Sequence, residues 1–211
     1  MRAVVSFANG HYISKMARLE ESLRGRTDAK FFGFNSYDQI GCKSHDVIPY
    51  QFKPYAIQAA IDKGADIVLW CDSPIHAVKD LTPVFEYIEE NSYMFFNNIG
   101  HPLGKWTNQK TLDYFDKTRE QALQMKQIMA CCMGFDFRKQ FVKDIFADYY
   151  NLSESLYPGL WSEHRHDQTI MSFLIERYGL HILTGNETFF AYGEHRGVLP
   201  FAETISLISG T

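Results

Sequence analysis

The chain has 211 residues, 45% of them apolar, 15% aromatic and 22% charged, which excludes disordered, collagen-like and coiled-coil classes and suffices for one sizeable core. Twenty-one Lys and Arg against 25 Asp and Glu leave a net charge of −4, so no global electrostatic pull toward a polyanion exists. The longest strongly apolar runs, such as Ile67 to Cys71, fall far short of the roughly 20 residues that cross a bilayer.

Ala3 to Ala8 is apolar apart from Ser6 and reads as a strand covered on both faces. After the Asn9-Gly10 turn, Ile13, Met16, Ala17 and Leu19 to Leu23 recur at helical spacing, and Gly25 supplies a stop. Lys30 to Asn35 reads as a second strand and Val47 to Tyr50 as a short third, with a polar loop between. Lys53-Pro54 opens a second helix, in which Ile57, Ala60 and Ile61 face the core until Gly64. Ile67 to Cys71 is a buried strand that stops abruptly at Asp72-Ser73-Pro74, because proline cannot continue a ladder. Leu81, Val84, Phe85 and Ile88 mark a third helix, followed by a strand over Tyr93 to Phe96.

The second half is less regular. Asn97 to Thr111 reads as a loop long enough to be a lid, Leu112 to Met129 as a helix and Ala130 to Phe137 as a strand. Phe141, Val142, Ile145 and Tyr149 form a helix face, and Asp167 to Tyr178 is a final helix closed by Gly179. Short strands around Leu180 to Leu183 and Thr188 to Tyr192 complete the reading. Such alternation predicts a single α/β domain over residues 1–211, a Rossmann-related, mainly parallel sheet with helices on both faces and ligands at the carboxyl ends of the strands. No Gly-rich phosphate or dinucleotide fingerprint is present, so P-loop and dehydrogenase readings fall away. The amino terminus reaches the polar Asn9-Gly10-His11 before a signal core forms, and the four cysteines lack a disulfide or metal spacing. Together they predict a cytoplasmic chain with reduced thiols.

Three clusters carry chemistry. Asp72 stands at the carboxyl end of a buried strand, where a carboxylate faces the ligand crevice and suits a hard cation such as Mg²⁺ or Mn²⁺; capping of the Asp-Ser-Pro turn is the alternative. Lys53 at a helix amino terminus adds a point charge where phosphates are favoured, and Ser6, Phe7, Ala8 and Asn9 lie where a base and ribose rest in an open sheet. The run Trp161 to Gln168 precedes an amphipathic helix whose dipole favours the Asp167 anion. There Asp167 can take a proton from an acceptor hydroxyl, helix capping being the plain alternative. His164 and His166 lack the nearby cysteines of a zinc site. In Tyr192 to Gly197, His195 is a candidate metal ligand and Arg196 a candidate phosphate ligand, in what is otherwise a surface loop. Trp106, in the His101 to Trp106 loop, can stack on a sugar or base.

With Lys53-Pro54-Tyr55 on a helix start, Ile67 to Ser73 on the next strand and His166-Asp167-Gln168 before the last helix, residues 3 to 197 resemble nucleotide-sugar glycosyltransferases of the GT-A type. The resemblance implies a GT-A-like fold and transfer of a sugar from a nucleoside-diphosphate sugar to a hydroxyl acceptor. Asp72 matches the first acid of the Asp-X-Asp motif that holds Mn²⁺ or Mg²⁺ on the donor diphosphate, and His195 the region of a carboxy-terminal metal-binding histidine. Pro74 replaces the second acid. The candidate donor-binding set is Ser6, Phe7, Ala8, Asn9, Lys53, Asp72, Ser73 and Arg196. Trp106, His166 and Gln168 are candidates on the acceptor side and Asp167 is the candidate base; if it stands opposite the leaving group, a single displacement inverts the anomeric centre, and inversion and retention are both open from the sequence. Acceptors open at this stage are a glycan, a lipid, a protein, a small molecule or modified DNA. The competing classes are a catalytically silent nucleotide-sugar binder and a metal-dependent phosphohydrolase or nucleotidyltransferase, the last needing more acids around its metal than Asp72 gathers.

Overall fold

The continuous apolar run at the amino terminus is a strand with both faces buried, since side chains alternate across it and Ala3, Val4 and Val5 are all 0% exposed. A computed structural model describes residues 1–184, 189–192 and 206–209. In chain order these form β1 (Arg2–Phe7), a 3-10 turn (Gly10–Tyr12), α1 (Ile13–Leu23), β2 (Lys30–Phe34), α2 (Tyr37–Ile40), α3 (Phe52–Ile61), β3 (Ile67–Cys71), β4 (Ile75–Ala77), α4 (Thr82–Asn91) and β5 (Tyr93–Pro102). There follow a second 3-10 turn (Leu103–Trp106), α5 (Gln109–Tyr114), α6 (Arg119–Leu123), β6 (Lys126–Asp136), α7 (Gln140–Asn151), α8 (Ser153–Leu156), α9 (His166–Arg177), β7 (Phe190–Tyr192) and β8 (Leu207–Ser209).

The main sheet has the order β2-β1-β3-β6-β5. β1 pairs in parallel with β2 and β3, while β6 runs antiparallel to both β3 and β5, so four strands share one direction and β6 is reversed. Helices cover both faces. Val5, Phe7, Val68, Trp70 and Phe135 join Ile57 of α3, Val142 of α7 and Ile170 of α9 in one core, while Val4, Leu69, Met94 and Cys132 join Leu19 of α1 and Phe85 of α4 in the other. β4, β8 and β7 make a small second sheet beside the end of β3.

Several expectations are corrected. Val47 to Tyr50 is a turn, because Pro49 has no N–H for a ladder and Tyr50 takes φ 62°, a left-handed backbone that ends extension. The helix expected over Leu112 to Met129 is two short helices and the start of β6. Asp116 at φ 51° breaks the first helix, and a capping box at Thr118 starts the second. β5 continues through Pro102, with register shifts, into the stretch expected to be a loop. Leu183 makes only an isolated bridge, to Phe96.

The expected lid is tied down. Gly104 packs so closely on α6 that a Cβ there would lie 2.5 Å from the Leu123 amide nitrogen, and Arg119 Nη1 donates to the carbonyls of Gly104 (2.5 Å) and Thr107. Gly104→Ala is expected to cost about 1–3 kcal/mol through overpacking against backbone that has no room to yield. Chemical denaturation measures it, and wild-type stability in the variant would show the turn free to lift.

Candidate active site

The carboxyl ends of β1 and β3 and the segment leading into α3 enclose a cavity of about 320 Å³. Phe7, Ala8 and Asn9 line it from the end of β1, and Asp72 and Ser73 from the end of β3. Ser6 lies fully buried beneath. The opposite wall comes from residues that sequence reasoning left in a polar loop or a short strand: Tyr37, His45, Asp46 and Tyr50, with Phe52 at the start of α3. Their signal was present as aromatic density in an otherwise polar stretch. Phe7 stacks on Phe52 with centroids 4.7 Å apart, and Asn9 Nδ2 donates to the Tyr37 hydroxyl at 2.8 Å.

Three residues distant in sequence meet at the inner end. Lys53 Nζ lies 3.2 Å from Asp72 Oδ1 and 2.9 Å from Asp167 Oδ2, and donates to the Ala130 carbonyl at 3.0 Å. The Ala130 contact has hydrogen-bond geometry, whereas the two carboxylates meet the ammonium as ion pairs, and among the described residues Asp167 Oδ2 has no hydrogen-bond donor of its own. Lys53 is therefore buried below the cavity instead of lining it, and its charge is spent on the two acids. Asp72 is held further by the Trp70 Nε1–H at 2.8 Å and by its own amide on the Cys131 carbonyl at 2.8 Å. The Asp72 side chain keeps 28% exposure, and that of Asp167 only 3%.

Burial governs the protonation of this cluster. It pushes both Asp72 and Asp167 above the usual carboxylate range, against the pull of Lys53. It works against the Lys53 ammonium too, but Asp167 and Asp72 outweigh it and hold that group well above its ordinary value. Burial lowers His45, whose Nδ1 accepts the Tyr50 N–H at 3.2 Å; a backbone amide can only donate, so the neutral ring carries its proton on Nε2. Tyr50 is pushed up to about 12 by burial and Asp167.

On the side of α9, His166 is buried and its Nδ1 donates to the Tyr157 carbonyl at 2.7 Å. Its ring stacks on Tyr50 at 5.5 Å. Gln168 is half-buried in the first turn. Trp106 is engaged by the Arg165 guanidinium 3.9 Å from its ring centroid, and its carbonyl accepts from Arg165 N and Thr169 Oγ1. His195 and Arg196 lie outside the described residues.

Among the described residues no group of three His, Cys, Asp or Glu side chains is placed to hold a metal ion, and no helix is long and apolar enough to cross a membrane. The charged side chains lining the cavity are nevertheless both acids, Asp46 and Asp72. That donor set fits a hard cation arriving with substrate phosphates, the manner in which Mg²⁺ is usually held by one or two carboxylates.

Neither a family model nor a curated protein sequence matches the chain. Solved structures match in shape. The bifunctional glycosyltransferase WbbM superposes with a TM-score of 0.61 at 13% identity, over 99% of this chain and 45% of that one, so the chain spans less than half of that protein. A glycosyltransferase involved in glycosylation of the major capsid of PBCV-1 gives 0.61 at 13% identity, over 99% and 93%. The galactosyltransferase LgtC, in complex with donor and acceptor sugar analogs, gives 0.55 at 10%, over 99% and 86%. The chain has the GT-A glycosyltransferase fold.

Proposed function

We propose that the protein transfers a sugar from a nucleoside-diphosphate sugar to a hydroxyl acceptor. The observation that carries this reading is the convergence of Asp72 and Asp167 on one ammonium beside an aromatic-lined cavity at the carboxyl ends of the strands, on a fold shared with glycosyltransferases. The fold alone would not carry it.

In this reading Phe7, Ala8, Asn9 and Ser73 seat the nucleoside, and Asp72 faces the donor phosphates. A Mg²⁺ or Mn²⁺ held there by Asp72, Asp46 and the donor itself would neutralise charge on the departing diphosphate. The acceptor oxygen bonds to the anomeric carbon as the bond from that carbon to the diphosphate oxygen breaks, and the electron pair leaves with the nucleoside diphosphate. Asp167, whose burial strengthens its hold on a proton, receives the proton of the acceptor hydroxyl. Displacement from the opposite side inverts the anomeric centre. Lys53 keeps the two acids in register. The four free cysteines support action in a reducing compartment, the cytoplasm.

Thermal unfolding with UDP, GDP, ADP or CDP, each with Mn²⁺ or a chelator, tests the donor half. One diphosphate at a hundredfold excess over its Kd is expected to stabilise by about 2.7 kcal/mol, about 5–10 °C for a chain of this size. The shift should shrink in chelator and in Asp72→Asn. No shift from any of the four removes the donor reading, while equal shifts in Mn²⁺ and chelator remove only the cation.

A further inference from the structure

A second hollow lies apart from the donor cavity and has the opposite polarity. It encloses about 600 Å³ against about 320 Å³, and the two share no lining residue. Its walls come from α6 with the turn before it, the start of β6, the last turns of α9 and the segment after that helix. Ile175 is buried, and Met125, Leu180 and Ile182 are half-buried against the core, so the inner lining is apolar. Gln121, Gln124, Lys126 and Glu176 are exposed around it.

The walls are fixed by the backbone. The Met125 carbonyl accepts the Leu103 N–H at 3.1 Å, and Lys117 N donates to the Leu112 carbonyl at 3.0 Å. α9 closes at Gly179, φ 64°, after which Leu180 N returns to the Ile175 carbonyl at 3.0 Å. A hollow formed in advance in this way loses little freedom when a ligand enters.

Its polar groups are mostly donors. Lys117 and Lys126 both line it, and among the described residues neither ammonium is paired with an acid. Gln121 Oε1 accepts the Thr118 N–H at 2.8 Å in the capping box of α6, so its NH₂ is the group left to meet a ligand. Glu176 is the only acid among the described lining residues, whereas the charged lining of the donor cavity is entirely acidic.

We propose that this hollow binds a small hydroxylated organic anion, a sugar acid or sugar phosphate, at a site separate from that of sugar transfer. The two ammonium groups and the Gln121 NH₂ match a carboxylate or phosphate. Glu176 and Gln124 accept from hydroxyls, and the apolar inner surface takes the carbon skeleton. A bare inorganic anion would leave that surface unused.

Calorimetric titration of the full chain tests the site, with glucuronate, galacturonate, glucose 6-phosphate, inorganic phosphate and glucose as probes. At least one of the three sugar anions is expected to bind, and which of them does so separates carboxylate from phosphate. Its Kd should rise about tenfold in Lys117→Gln and in Lys126→Gln, and increase with added salt, as charge pairing at an open site requires. Gln121→Glu should weaken it at least as much, because Glu keeps the capping box but presents a negative charge. All three changes are near the surface, and unfolding temperatures close to wild type check that the fold is kept. Asp72→Asn and saturating nucleoside diphosphate, which act at the other cavity, should leave the Kd unchanged. Binding of none of the sugar anions, equal binding of inorganic phosphate or glucose, or an unchanged Kd in the three variants would overturn the site. Loss of binding in Asp72→Asn would place the anion in the donor cavity and overturn it as well.

Discussion

Lys53→Met is expected to lower the unfolding free energy by about 3–5 kcal/mol at neutral pH, because it leaves the buried Asp167 and the half-buried Asp72 without their shared cation. Methionine fills the same space, so the loss reports charge and not a void. The pH dependence separates this from general damage. Without the ammonium, Asp72 and Asp167 rise further above their values in the unfolded chain, so the folded variant binds protons more readily than the unfolded one. A folded-state value above the unfolded one means stability present at low pH and lost as pH rises through it. The deficit of Lys53→Met should therefore shrink on acidification toward the carboxylate range. Urea unfolding at pH 8 and pH 4.5 measures it, and a deficit of equal size at both would place the defect outside the ion cluster.

Asp167→Asn should cut transfer by a factor on the order of 10²–10⁴, the usual contribution of a general base, with diphosphate binding retained. Asparagine keeps the shape and an acceptor oxygen for Lys53, so the cluster stays assembled. The negative charge of Asp167 raises Asp72 and the positive charge of Lys53 lowers it. The acid limb of diphosphate binding should accordingly move to lower pH in Asp167→Asn and to higher pH in Lys53→Met. Opposite displacements are a signature that a packing defect would not produce. If Asp167→Asn loses donor binding along with turnover, Asp167 serves only to hold its neighbours.

The parts of this site legible in the sequence are those with a local signal. Asp72 follows an apolar run that ends in Ser73-Pro74, Lys53 adjoins the helix-opening Pro54, and Asp167 sits where helical spacing begins, so each could be placed on its element by its neighbours alone. The approach of Asp72 and Asp167 to one another was expected, but that Lys53 would be buried between them was not legible. Lys53 reads as a charge offered to phosphate at a helix start, yet in α3 it turns inward, because two acids on other elements outweigh the cost of its burial. The reversal of β6 was hidden for a different reason: a strand buried on both faces has the same continuous apolar pattern whichever way it runs. The wall formed by Tyr37, His45 and Tyr50 was missed because a polar loop has no periodicity to read, and the Val47 to Tyr50 run mimicked a strand until Tyr50 turned left-handed.

The left-handed backbones of Tyr50 and His166 bear on the reading of the protein as a silent binder. Each holds a conformation that costs on the order of 1–3 kcal/mol and that glycine would adopt freely. Glycine would relieve that strain but would remove the buried His166 ring with its 2.7 Å bond to the Tyr157 carbonyl, and the Tyr50 ring that lines the cavity. A silent binder would need the same wall, so the strained pair shapes the hollow for a nucleotide sugar whether that sugar is then transferred or merely held.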